Sequence, residues 1–419
     1  MSIDQLLSDD NSTLNFPSIR PSLDLNFART KSLDPRITFA RSSSGSYVGP
    51  DGLIKYAGVN QPRFDHNPVT GESLGLLIEE SRTNLISYSE QFDNSYWIKT
   101  TSSIQSNVTT APDGNITADK LIPSLTGTTG GYVVKNQTYV SGTTYTASCF
   151  AKAAEFSTFT IIFQPSAFGS TISARFNLLS GTLSTITDSA TASIQEFPNG
   201  WYRCTATATA TATVSDGIQY RTSNIGNGKS GIYIWGAQLE VGAFPTSYIP
   251  TVASTRTRNA DNASMTGTNF SSWYNSSEGT IWSNVNFGIN PSLNNFPSSS
   301  MVFAISDNTS SNRITLFGLS GFKSVVTRYA RTGITYLSNS AIINSSQNKF
   351  AFSFAKEKSV LSSNSTLYSS ISSTNITYPI VNHLDIGNQN KDFYLNGTIS
   401  RLTYYPKRLP DSQLQALTR

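Results

Sequence analysis

Between Gly75 and Asp261 the chain is built of short phrases punctuated like β-structure: GLLIEESRTNLISYSEQF, GTTYTASCFAKA, GWYRC, GIYIWGAQLEVGAFPTSYIPT and TRTRNAD. Each reads as a strand or as the turn beside one. The rest of the composition pushes the same way. Only 13% of residues are charged, so the polarity comes from Ser, Thr, Asn and Gly. Thr, Tyr and Phe suit a pleated, half-buried surface, and Gly and Asn supply turns. The expected fold class is all-β. At 419 residues the chain exceeds one ordinary domain, and two or three units are expected.

The first expected unit is residues 1–91. Ile3, Leu6 and Leu7 fit one face of a short helix. Beyond it Pro17, Pro21, Pro35, Pro50, Pro62 and Pro68 interrupt the chain and leave room only for short strands such as Ile37–Phe39 and Leu76–Glu79. Gly49–Gly52 and Asn67–Gly71 are turn signals. An irregular segment of this kind has difficulty burying a core alone, so it packs on its neighbour or is completed by other copies of itself. The second unit, 92–255, carries strands at Tyr145–Lys152, Phe159–Gln164, Ala174–Leu178, Trp201–Thr207 and Gly231–Leu239, a spacing that suggests a sandwich. Within it, Thr205–Thr213 alternates Thr and Ala and reads as an edge strand of weakly specified register. Thr251–Ser264 reads as a linker. The third unit, 256–419, has strands at Thr280–Phe287, Met301–Ile305, Arg313–Phe317 and Phe350–Phe354. It closes on a short helix with Pro410 in its first turn, Asp411 at the positive helix end, and Leu414 and Leu417 on one face.

The order of these phrases resembles a module of tail-fibre and other appendage proteins of bacteriophages, notably phages of cyanobacteria and other marine bacteria. The most specific part is SLDLNFARTKSLDPRITFARSSSGSYVGPDGLIKYA followed by QPRFDHNPVTGESLGLLIEESRTNL. YTASCFAKA, GWYRC and IYIWGAQLE stand in the order of jelly-roll modules similar to carbohydrate-binding modules, and FYLNGTISRLTYYPKRLPDSQLQAL resembles the end of concanavalin-like, laminin-G-like lectin modules. The resemblance implies an irregular N-terminal assembly region followed by two β-sandwich domains, one a jelly roll and one lectin-like. It implies a homotrimeric virion protein made in the host cytoplasm, joined to other virion proteins through its N-terminal region and touching a host-surface glycan. A capsid or tail decoration protein is the alternative within the same class.

The residues themselves offer little catalytic chemistry, and a non-enzymatic role is expected. Lys and Arg are scattered and the net charge is +4, so no nucleic-acid patch is visible. No apolar run approaches the ~20 residues that cross a bilayer. Cys149 and Cys204 read as buried apolar side chains. His66 and His383 lack a nucleophile motif beside them. Glycan cleavage needs only two carboxylates, roughly 5–10 Å apart. Glu79 and Glu80 are an adjacent pair, and neighbours on a strand point to opposite faces. Glu155, Glu196, Glu240, Glu278, Asp385 and Asp392 stand alone. No cofactor is expected; a structural calcium is allowed for, without named ligands.

Sugar binding asks for an exposed aromatic beside amides and hydroxyls. Trp97, Trp201, Trp235 and Trp282 read as core or packing residues. Trp273 and Tyr274, in SSWYNSS, are the best platform candidates, although the favoured reading of them is a packing contact at the start of a module. Arg256 and Arg258 with Asp261 resemble a TR-x-AD joint. They either grip an anionic glycan or, the favoured reading, pair with backbone carbonyls or Asp261 at a domain junction.

Overall fold

The structure is a computed structural model that describes residues 17–419 apart from 126–129, 188–189, 223–224, 289–299, 310, 320–323, 332–333, 343–346, 357 and 372–377. The helix expected around Ile3, Leu6 and Leu7 lies outside the described residues. The chain is all-β, organised as two sandwiches of antiparallel sheets.

The central part of the sequence forms a jelly roll of two six-stranded sheets. One runs, in spatial order, Thr191–Phe197, Trp201–Thr209, Thr144–Ala153, Ile232–Val241, Ala118–Pro123, Ser102–Thr109. The other runs Thr182–Ile186, Ile172–Asn177, Thr158–Phe163, Val214–Thr222, Gly131–Tyr139, Ile98–Thr100. Alternation along each strand sends one set of side chains inward. Cys149, Ala151, Phe159, Ile161, Cys204, Ala206, Ile234 and Leu239 meet between the sheets. Cys149 and Cys204 face each other on neighbouring strands, both buried and free.

The Thr-Ala run is not at an edge. Trp201–Thr209 lies between two other strands, and its register is held by matched threonines: Thr207 with Thr146 and Thr209 with Thr144, each pair at 2.8 Å between hydroxyl oxygens. Such cross-strand pairs supply the register that an Ala face cannot. The Ala methyls are small enough for the opposing sheet to pack closely.

The second sandwich is assembled from both ends of the sequence. Its eight-stranded sheet holds Glu278–Phe287, Gln347–Ala355, Lys358–Ser363, Thr366–Ile371 and Gly397–Tyr405 together with Leu23–Leu25, Phe64–His66 and Ser73–Ile78. Gly397–Tyr405 pairs with Ser73–Ile78 along its first residues and with Leu23–Leu25 along its last. The facing seven-stranded sheet joins Thr38–Ala40 to Asn262–Thr266, His383–Ile386, Ser300–Ser306, Arg313–Gly318, Ser324–Arg331 and Ile334–Ile342. Leu23, Leu25, Phe27, Leu76 and Ile78 are buried in one core with Ile281, Phe303, Phe352, Leu384 and Ile399. The terminal helix Asp411–Leu417 buries Leu414 against the outside of the eight-stranded sheet, beside Ala351, Val360 and Tyr405.

The expected separate unit at 1–91 is therefore corrected for its described part. Leu23–Leu25, Thr38–Ala40, Phe64–His66 and Ser73–Ile78 are strands of the C-terminal sandwich, because Leu23, Leu25, Leu76 and Ile78 find their core there, whereas Gly45–Val48 and Ile54–Ala57 pair as a hairpin of their own. The jelly roll is an insertion in that sandwich. The chain leaves through Arg82–Asn84 and returns through Arg256–Arg258, and these two strands pair antiparallel as a neck. The expected linker Thr251–Ser264 is likewise corrected: it contains one strand of the neck and one strand of the seven-stranded sheet.

Each buried Leu or Ile that residues 23–78 contribute is worth roughly 1.5–3 kcal/mol. Residues 256–419 alone should show no cooperative thermal transition by circular dichroism. The same segment preceded by residues 17–84, with a short turn in place of 85–255, should regain one. Cooperative folding of 256–419 by itself would refute the nested arrangement.

Candidate functional site at the module junction

Where the neck meets the sandwich, five charged side chains are buried together. Arg63 pairs with Glu79 at 2.8 Å and with Asp261, both of its partners lying within the same enclosure. Arg41 donates to Asp261 Oδ1 at 2.9 Å and to the Gly58 carbonyl at 2.8 Å. Arg258 donates to the Glu80 carbonyl at 2.6 Å and lies 3.4 Å from Glu79. The side chains of Arg41, Arg63 and Asp261 are fully buried. Asp261 also accepts the Glu79 backbone N–H at 3.0 Å, and its own N–H returns to the Glu79 carbonyl at 3.0 Å.

Burial by itself would push the Glu79 carboxyl up. The guanidiniums of Arg258 and Arg63 outweigh it and hold the group at about 2. The Glu79 oxygens also accept Ser247 N–H and Ser247 Oγ–H, each at 2.7 Å, which ties the neck to the loop after the jelly roll's last strand. Charges this deep persist only when paired and hydrogen-bonded.

A second contact fixes the modules. The outer face of one jelly-roll sheet presents Phe150, Phe197, Trp201 and Trp235, and these pack with Tyr248 and with Ile54 from the N-terminal segment. Trp201 and Trp235 are thus buried at the seam between the modules, not inside the jelly roll. Their indole N–H groups donate to the Thr110 carbonyl at 3.0 Å and to Thr117 Oγ1 at 3.1 Å.

Between the ion cluster and this aromatic seam lies a cleft of about 440 Å³. One wall is the outward face of Trp201–Thr209, where Arg203, Thr205 and Thr207 recur at every second residue, flanked by Thr191, Ser193 and Gln195 of the edge strand. The opposite wall carries Ser46, Tyr47 and Asp65 of the N-terminal segment and Asn286, Asn396 and Thr398 of the second sandwich. Phe244 and Thr246 close one end. Hydroxyls and amides stand there among apolar side chains such as Ile54, Leu77, Phe197 and Phe287. The volume falls in the range of small-ligand pockets, roughly 300–1,000 Å³.

Asp65 accepts the Val48 N–H at 2.6 Å, yet burial, with Glu79 adding to it, pushes its carboxyl up to about 7. Arg203 donates to Ser148 Oγ at 3.1 Å and lies over the Phe150 ring at 5.6 Å. Its Nε is buried with no hydrogen-bond partner, and burial lowers its pKa.

The two platform candidates take the packing reading. Trp273 is only 4% exposed, donates its indole N–H to the Asn269 carbonyl at 2.9 Å, and packs edge-on against Phe270 and Tyr404. Tyr274 lies against the Phe270 and Tyr404 rings, partly buried. Small polar neighbours in SSWYNSS do not keep these rings at the surface, because the N-terminal segment covers them: Ser22 Oγ donates to the Trp273 carbonyl at 2.8 Å. Arg258 and Asp261 sit in the buried cluster, whereas Arg256 is exposed and donates to Ser44 Oγ at 2.8 Å.

Glu79 and Glu80 diverge as strand neighbours do: Glu80 turns to Arg82 Nε at 2.6 Å and Asn396 Nδ2 at 3.0 Å. His66 bonds the Val48 carbonyl at 3.0 Å and His383 bonds Asp385 at 2.7 Å. Among the described residues no three His, Cys, Asp or Glu form a metal-holding group. The cleft residues Arg203, Thr205, Thr207, Ser193 and Asp65 were not singled out from sequence. The period of two in RCTATAT was the available signal, but it does not say that the outer face would meet a second module.

Asp261→Ala strands Arg41 and Arg63 without their shared carboxylate. Urea denaturation should show a loss of about 3–5 kcal/mol. Arg256→Ala, exposed, should stay within ~0.5 kcal/mol. Asp65 predicts a pH signature. In the unfolded chain it titrates near 3.8 and in the folded chain near 7. The folded state therefore holds the proton more tightly, and the associated stability is full below about pH 4 and lost as pH rises to about 7. Asp65→Asn should raise the melting temperature relative to the parent at pH 8 and change it little at pH 4. An equal change at both would contradict the assignment.

No family model matches the chain, and no curated protein matches it. Solved structures overlap it by shape. The CBM40 of the Ruminococcus gnavus IT-sialidase is 16% identical, covering 35% of this chain and 84% of its own, with a TM-score of 0.30. The NanB sialidase of Streptococcus pneumoniae is 15% identical, covering 37% and 26%, at 0.30. A putative carbohydrate binding protein from Bacteroides ovatus is 10% identical, covering 80% and 84%, at 0.27. These are likenesses of shape alone, and the sandwich architecture rests on the chain's own sheets.

Proposed function

We propose that this protein is a non-enzymatic bacteriophage appendage protein, a tail or head fibre, that attaches the particle to a glycan of the host surface. The cleft between the jelly roll and the lectin-like sandwich is its binding site. The observation that carries the reading is the lining of that cleft. Threonine, serine, asparagine and glutamine side chains converge there with Tyr47 and Phe244 in an enclosure of small-ligand size. Saccharides are bound by this kind of surface, through many hydroxyl and amide hydrogen bonds beside aromatic faces. The phage assignment rests on the order of the sequence phrases.

In this reading the protein is made in the host cytoplasm and incorporated in the virion. Its N-terminal region joins other virion proteins. Three copies act together, so that sites of modest affinity gain avidity.

The test is a glycan array that includes host lipopolysaccharide, probed with the full chain and with Ser193→Trp. Ser193 lies on an edge strand at the cleft wall, where an indole fills the cavity without entering either core. The parent should bind a restricted set of glycans, and the variant should lose them by at least about tenfold at unchanged melting temperature. Absence of binding by the parent would move the protein to a decoration or connector role. Steady loss of glycan mass during incubation would make it a depolymerase.

A further inference from the structure

Arg203 has more hydrogen-bonding capacity than the protein uses. A guanidinium offers five N–H donors in a planar fork. Here Nη2 takes Ser148 Oγ at 3.1 Å, and the buried Nε has no partner. The Phe150 ring covers one side at 5.6 Å. The acidic groups that neighbour it are already committed. Glu79 serves Arg63, Arg258 and Ser247. Glu240 accepts from Gln238 Nε2 at 2.7 Å and from Thr246 N–H at 3.1 Å. Arg203 also lines the cleft.

We infer that the cleft takes an anionic saccharide, with Arg203 receiving the carboxylate of a uronic or sialic acid, or a sugar phosphate, and the surrounding hydroxyls and amides receiving the ring. The inference rests on the reading of the cleft as a glycan site and narrows it to a charge class. A planar carboxylate supplies two acceptor oxygens to a guanidinium fork, and a phosphate does so equally well. Thr205 and Thr207 stand on the same strand face as Arg203, two and four residues on, so a sugar ring anchored by its acid group would lie along them. Gln195 and Ser193 line the neighbouring edge strand, and Asn396 lies on the facing wall.

The experiment is calorimetric titration of the full chain with three matched disaccharides: one ending in glucuronate, its carboxyl-reduced neutral counterpart, and one ending in a sugar 6-phosphate. The parent should prefer at least one acidic sugar over the neutral one by about tenfold or more, the worth of a charged hydrogen bond. Which acidic sugar wins separates carboxylate from phosphate. Arg203→Gln, which keeps a polar stem and removes the charge, should erase that preference, and Arg203→Lys should retain part of it. Melting temperatures establish that each variant is folded. If Arg203→Gln does not fold, the parent's acidic-to-neutral ratio and the Arg203→Lys variant decide. Equal binding of acidic and neutral sugars by the parent, removed by Ser193→Trp, would overturn the charge assignment and leave the glycan site standing. An acidic preference that survives in Arg203→Gln would also overturn it. Absence of binding to all three, with neutral glycans still captured on the array, would overturn the charge assignment, whereas an empty array as well would remove the glycan reading with it.

Discussion

Everything about the arrangement of this protein depends on one buried carboxylate. Asp261 receives Arg41 and Arg63 from the first part of the chain and the backbone of Glu79 at the mouth of the neck. These residues are separated by up to 220 positions in sequence. Enclosing five charges is unfavourable unless every one is paired, and here each of Arg258, Arg63, Arg41, Glu79 and Asp261 has an opposite charge beside it. Such a cluster tolerates little displacement. It therefore fixes the neck in one geometry, and with it the relative position of the two sandwiches.

That geometry is what leaves a cleft rather than a dry interface. The modules meet through Phe150, Phe197, Trp201, Trp235, Tyr248 and Ile54, and four of these, Ile54, Phe150, Phe197 and Tyr248, also line the cleft. Beside them the strand face bearing Arg203, Thr205 and Thr207 carries polar groups that an apolar seam could not satisfy. Neither sandwich owns the cleft. Its walls come from the jelly-roll sheet, from the N-terminal segment and from the turns of the second sandwich, so its shape is set by the insertion of one module in the other.

Much of the local structure was legible in the residues. The strands at Tyr145–Lys152, Phe159–Gln164, Thr280–Phe287 and Arg313–Phe317 each fall within or beside an observed strand, because alternation and turn chemistry are local signals. The terminal helix and its buried Leu414 follow from the same kind of signal. Where the reading differed, a partner distant in sequence had decided the outcome. Packing was the favoured reading of Trp273, but the segment around Ser22 that covers it was not foreseen. The Thr-Ala run looked like an edge until Thr191–Phe197 paired beside it. Arg41 and Arg63 carried no signal at all, since a lone arginine in a turn-rich segment reads as surface.

The sequence by itself determined that the chain would be β-structure cut into short strands, where several of those strands lie, and that the joint near Arg258 and Asp261 would be polar. Those properties depend on a residue and its near neighbours. Only the tertiary structure decided that four strands within residues 23–78 belong to the C-terminal sandwich, that the jelly roll is nested within it, and that Arg203 and Asp65 face one cavity. Alternation tells which side chains share a face of a strand; what covers that face depends on contacts hundreds of residues away, and the burial of Asp261 among three guanidiniums is such a contact.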